Sequence, residues 1–213
     1  YATIPRVGTL GFGMQLRGPV AACAAVLALS GCGFGLVGSS APATYDLQAP
    51  PIEKVHGTHT SQLLIYPPVA VKTIDTDEIL IKTSNGRIAY FSGVAWGDRL
   101  PRLFQARLVE ALANSGAFRA ILTNQDRVVG DYSLAIEIRD FEIEATPAGR
   151  RAVIDIYVKL VDERNNAVVT TRRFQTQTPA PDGDNIDGDI HALNSAFQRI
   201  ALEVVSWVSR RSA

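Results

Sequence analysis

The chain has 213 residues, 21 basic against 21 acidic, with 46% hydrophobic and 20% charged side chains. Zero formal charge excludes the basic excess carried by nucleic-acid binders, and the length suits one domain that buries roughly 70% of its unfolded surface. Both cysteines, Cys23 and Cys32, lie in the first 32 residues, so the remainder holds neither an internal disulfide nor a thiolate metal cluster.

The single methionine, Met14, is read as the true start, with residues 1–13 as upstream sequence. From there a short segment with Arg17 leads into the apolar stretch Val20 to Leu29, then small residues, then Cys32. That order is the layout of a secretory signal peptide. The stretch is shorter than the roughly 20 residues that cross a bilayer. Gly18, Pro19, Gly31, Gly33 and Gly35 bracket it, which argues against a buried core helix.

Leu29-Ser30-Gly31-Cys32 resembles the bacterial lipobox. The resemblance implies cleavage between Gly31 and Cys32, with acyl chains such as palmitate attached to Cys32. Small residues at 30 and 31 admit the backbone to a narrow protease site, and the Cys32 sulfur is the nucleophile for the lipid. Each buried CH₂ contributes about 0.8 kcal/mol, and stable anchoring takes more than one chain. Gly33 stands where inner-membrane retention signals carry Asp, which implies the periplasmic face of the outer membrane. Removing residues 1–31 takes away Arg6 and Arg17 and no acid, so the mature domain is nearly neutral.

Residues 32–61 read as a lipidated cysteine and flexible tether, rich in Gly, Ser and Pro. Thr44-Tyr45-Asp46-Leu47 is an island in it that could pair as a short strand. The domain proper is expected over 62–213. Leu63, Leu64, Ile65, Tyr66, Val69 and Val71 are read as an apolar strand ending at Pro67-Pro68. Ile79–Thr83 and Arg87–Tyr90 flank Ser84-Asn85-Gly86, a strong hairpin signal. Asp98 is placed as the cap of a helix running to Ser115, with Leu100, Leu103, Phe104, Leu108, Ala111 and Leu112 on one face and Gly116 as its stop.

Tyr132 to Ile143 alternates apolar and polar residues, with a parity shift that predicts a bulge near Arg139-Asp140. Ala152 to Leu160 alternates without interruption, and Val168 to Thr176 returns after a turn, so a three-strand antiparallel meander is expected with one covered and one wet face. Ile190 to Arg210 closes the chain as an amphipathic helix. The fold class is therefore α+β: two layers, a mainly antiparallel sheet with two amphipathic helices on one face.

Catalytic signals are sparse. His56 and His59 lie in the tether without a third ligand, and His191 opens the last helix. The run Asp182 to Asp189 misses the spacing of a calcium loop, because the sixth position is Asp187 rather than Gly; a weak cation site there stays open. Glu142 and Glu144 are expected to meet solvent. No Gly-x-Ser-x-Gly elbow and no phosphate-binding loop occur. The expectation is no enzyme, no metal and no cofactor.

The order of features is similar to the ABC-type transport auxiliary lipoproteins, the PqiC-like group. The resembling stretches are residues 44–47, 77–112, 132–143 and 203–208, with Trp96-Gly97-Asp98-Arg99-Leu100-Pro101 after the hairpin as the most telling. The resemblance implies a non-enzymatic accessory to an ABC-driven, MCE-type system moving lipids between membranes, with an MCE-domain protein as partner, and rings in some relatives imply a homo-oligomer. Trp96, Arg99 and Arg102 are the candidate partner-binding residues; for Trp96 a plug at the sheet–helix junction is the competing reading, and for the arginines a solvated face. An alternative is an outer-membrane assembly lipoprotein of the lipopolysaccharide-assembly or Tol-associated type; a periplasmic hydrolase is a third.

Overall fold

The structure is a computed structural model that describes residues 41–54, 60–181 and 185–210. Gly31, Cys32, Met14, His56, His59 and residues 182–184 of the acidic run lie outside them. The elements are β1 (Ala43–Tyr45), β2 (Gln62–Ile65), β3 (Val69–Ala70), β4 (Glu78–Thr83), β5 (Ile88–Trp96), α1 (Leu100–Ser115), β6 (Ala120–Thr123), β7 (Tyr132–Thr146), β8 (Gly149–Asp162), β9 (Ala167–Pro179) and α2 (Ile186–Ser209).

Strand β7 organises the sheet. One edge pairs antiparallel with β8 along nearly its whole length, and β9 continues the meander. The other edge takes three short strands in succession, all parallel: β2 at Tyr132–Leu134, β3 at Glu137–Ile138 and β4 at Ile143–Ala145. The β4–β5 hairpin then extends the sheet one way, with β1 parallel to β5, and β6 lies parallel on β2. The architecture is the expected α+β with two helices. The sheet is mixed, its longest ladders antiparallel and its short strands parallel. The bulge falls between Ile138 and Asp140, where the pairing with β8 skips Arg139.

That bulge restores the facing. Leu134, Ile136, Ile138, Phe141 and Ile143 all turn inward and meet Ala152, Ile154, Ile156, Val158 and Leu160. Both helices bury their apolar stripes in this core. Phe104 of α1 meets Phe197 of α2 edge-on at 5.2 Å, and Trp207 meets Phe174 of β9 at 5.7 Å.

Three expectations need correction. Asp98 does not cap α1: Arg99 occupies that position with no side-chain bond, and the Asp98 carboxylate accepts from the Arg99 N–H instead, at 2.7 Å. Pro101 in the first turn favours the start, and Gly116, at φ 66°, ends the helix in the left-handed conformation. The last helix begins at Ile186, four residues early. Asn185 Oδ1 accepts from the Gly188 N–H, so Asp187 and Asp189 lie in the first turn, where acids complement the helix dipole.

The third correction concerns the tether. Residues 43–54 belong to the domain. β1 joins the sheet, Leu47 is 1% exposed, and Ile52 packs against the core. Asn194 Oδ1 accepts from the Gln48 N–H at 2.9 Å, and its amide donates to the Asp46 carbonyl at 3.3 Å. Gly/Pro composition hid this segment, since its anchoring residues Leu47, Pro50 and Ile52 follow neither a helix nor a strand period.

Candidate docking surface

The region singled out by Trp96, Arg99 and Arg102 is the entrance to α1. Strand β5 delivers Trp96 there; its N–H donates to the Asp77 carbonyl at 2.7 Å, and the Leu100 N–H donates to the Thr76 carbonyl at 2.9 Å. The 71–78 segment is thereby strapped to the start of the helix. Trp96 is 3% exposed and stands edge-on to Phe141, centroids 6.1 Å apart. It plugs the sheet–helix junction and presents no ring to the surface.

The arginines differ from it and from each other. Arg99 is locked onto Asp75: Nε donates to Oδ1 at 3.0 Å, and Nη2 to the Asp75 carbonyl at 2.8 Å. Arg102 is 73% exposed, and its one ion pair among the described residues is with Asp98 at 3.9 Å. Arg107, further along, is held by Asp46 and Glu110, whose hydrogen bonds raise its pKa.

Two clefts open on either side of this entrance. One, of about 610 Å³, is lined by Pro67, Asp98, Arg102, Gln105, Val109 and Asn124 among others. Gln105 Nε2 is committed to the Ile65 carbonyl at 2.9 Å, which fixes that wall. The other, of about 590 Å³, is lined by Lys72, Asp75, Asp77, Glu78, Tyr90 and Arg99 with two threonines. Neither lining includes a histidine or a cysteine. Such walls offer hydrogen-bonding groups to polar ligands. Among the described residues no three His, Cys, Asp or Glu side chains form a metal-ligating group. His191 is exposed on α2.

The helix-free face of the sheet departs from the expected wet surface. Glu142, expected in solvent, is 4% exposed, and Lys82 Nζ lies 2.9 Å from its Oε1 and 3.4 Å from Asp140. Burial raises the Glu142 pKa in spite of the lysine, while the hydrogen bond to Glu142 raises that of Lys82. Glu144 pairs with Arg151 at 2.6 Å. Asp155, 2% exposed, is covered by Arg173, and Arg139 stacks over Tyr157 at 4.6 Å. No sequence signal marked these pairs, because Lys82 meets Glu142 only through the parallel β4–β7 register.

The domain is thus an open mixed sheet with both helices on one face and two polar clefts beside the entrance to α1. The chain belongs to the family of ABC-type transport auxiliary lipoprotein components, whose sequence profile matches residues 45–205. It is 33% identical over 178 residues to the uncharacterized protein bll6063 of Bradyrhizobium diazoefficiens, covering 81% of this chain and 47% of that one; the chain thus spans about half the length of this curated relative. Among solved structures it resembles protein XCC0632 of Xanthomonas campestris, with TM-score 0.67, 24% identity, and coverage of 80% of this chain and 94% of that one. It also resembles protein CT253 of Chlamydia trachomatis, with TM-score 0.51, 12% identity, and coverage of 72% and 98%. Both likenesses show the fold. No helix among the described residues is long and apolar enough to cross a membrane.

Proposed function

We propose that this protein is a lipoprotein anchored through acyl chains on Cys32 to the periplasmic face of the outer membrane. In this reading it is a non-enzymatic accessory of an ABC-driven, MCE-type lipid-transport system and docks an MCE-domain protein through the entrance to α1. The family supports the accessory role, and the lipobox at residues 29–32 supports the anchor. Packing of residues 43–54 into the domain sharpens the geometry. At about 3.5 Å per residue, the chain between Cys32 and Ala43 reaches no more than roughly 40 Å, so the docking surface works close to the bilayer.

The observation that carries the docking reading is Arg102. It is exposed at the rim of a polar cleft whose wall is fixed by Gln105, while its neighbours Arg99 and Arg107 are already paired. The edge of β9 away from β8 takes no strand among the described residues, which supports a homo-oligomer.

Affinity capture from membranes tests the proposal. The unaltered chain should recover an MCE-domain protein, and Arg102→Glu should reduce that recovery without changing the melting temperature. Cys32→Ser should move the protein to the soluble periplasmic fraction or leave it uncleaved. Recovery of lipopolysaccharide-assembly or Tol components instead would replace this partner assignment.

A further inference from the structure

Strand β9 closes the sheet with an edge that takes no strand among the described residues. Its register on β8 shows which backbone groups are left over. The Ala180 N–H donates to the Arg150 carbonyl at 3.0 Å, and the pairing runs from there without a shift to Leu160 opposite Thr170. Antiparallel pairing alternates between bonded and unbonded residues, so the even-numbered residues from Thr170 to Thr178 face β8. The N–H and C=O groups of Thr171, Arg173, Gln175 and Gln177 therefore point away from it. Pro179, which has no N–H, falls on this outward set, as proline on an edge strand must.

Sheet edges are ordinarily blunted by short strands, bulges, charges or proline. The β6 edge is an example: it has 4 residues, and Asp126 takes both the Thr123 N–H, at 2.6 Å, and the Thr123 carbonyl, at 3.1 Å. The β9 edge has 13 residues, and the one shift in its pairing lies at its start, between Leu160 and Val161 of β8. Arg173, a charge that could guard it, is folded back over the sheet onto Asp155. A second β9, run antiparallel about a two-fold axis at Phe174, fits this edge. Thr171 then stands opposite Gln177 and Arg173 opposite Gln175, each twice, and all four pairs join outward-facing groups. Arg172 comes opposite Thr176, so no two like charges stand directly opposite; an axis at residue 173 would set Arg173 against its own copy. Leu202, exposed in the groove between α2 and β9, lies beside the Phe174 axis, because Arg199 before it reaches Thr176 and Trp207 after it meets Phe174.

We propose that two copies of this chain join β9 to β9 as antiparallel strands about a two-fold axis at Phe174, making one continuous sheet and covering Leu202. This pairing rests on the homo-oligomer reading of the edge and adds its symmetry and its register.

The test uses the full chain carrying Cys23→Ser and Cys32→Ser, which removes the acylation site and leaves no native thiol. Sedimentation between about 1 and 100 μM should show a monomer–dimer equilibrium. Gln175→Pro removes one outward N–H per copy at a place where an edge strand tolerates proline. It should raise the concentration needed for the dimer about tenfold or more, whereas Gln175→Thr keeps the N–H and should pair like the parent. Leu202→Ser should weaken the dimer about tenfold. With T171C added to the parent, spin labels at that position should sit roughly 20 Å apart in the dimer, six residues along the strand. That distance still decides the register if Gln175→Pro misfolds. A monomer at every concentration, or a label separation far from that value, would overturn the pairing. An assembly that forms but ignores Gln175→Pro would also overturn it while leaving the homo-oligomer reading in place, so the two fail separately.

Discussion

Lys82 Nζ lies 2.9 Å from Glu142 Oε1, joining two strands that run parallel. The pair seals a buried carboxylate on the sheet face that has no helix over it. Lys82→Ala should cost about 1–3 kcal/mol, the price of stranding a buried charged group, read as a lowered midpoint in urea unfolding. Burial raises the Glu142 pKa in the folded state, so its ionisation opposes folding as pH rises above the ordinary carboxylate value, about 4.3. Removing Lys82 raises that pKa further. The variant should therefore recover stability between neutral pH and about 5, and a deficit that is the same at both pH values would contradict the assignment.

Asp131 shifts the opposite way. Its Oδ2 accepts from the Gln62 N–H at 2.7 Å and its Oδ1 is bound by Arg164, which together hold its carboxyl below the usual range. Stability from this group is full above the unfolded value, about 3.9, and is lost as pH falls through the lower folded value. Asp131→Asn should flatten the acid limb of a stability–pH profile. It should also loosen the start of β2, read as faster amide exchange at Gln62.

Trp96 and Arg102 separate folding from docking. Trp96→Ala empties the junction beside Phe141 and should cost about 3–5 kcal/mol in a thermal or urea melt. Arg102→Glu alters an exposed side chain and should stay within about 0.5 kcal/mol of the parent. A large stability loss from Arg102→Glu would show that it holds structure.

Asn194 clamps residues 46–48 onto α2 from 146 positions away. Asn194→Ala removes two hydrogen bonds, each worth about 1 kcal/mol. Hydrogen exchange should quicken at Gln48 and leave β8 unchanged, since the loss is confined to residues 46–48.

Gly130 is a further check on close packing. A Cβ there would sit 2.9 Å from the Tyr132 carbonyl oxygen and 3.1 Å from the Leu64 nitrogen, both backbone atoms. Gly130→Ala should lower the melting temperature by several degrees, although alanine usually stabilises where space allows.

Periodicity by itself determined the hairpin, the bulge at Arg139, the β7–β8–β9 meander and both helix stripes, because each is set by neighbours close in the chain. The family resemblance was equally legible, since it rests on the order of such local features. Only the tertiary structure decided the parallel joining of β2, β3 and β4 to one edge of β7, and hence the burial of Glu142 beneath Lys82. It alone drew residues 43–54 into the domain and turned Trp96 inward. The physical reason is range. Alternation and capping act over a few residues and leave a pattern in the sequence. The partner of a buried charge or the cover over an edge is chosen across a hundred residues or more, by which surfaces exclude water together.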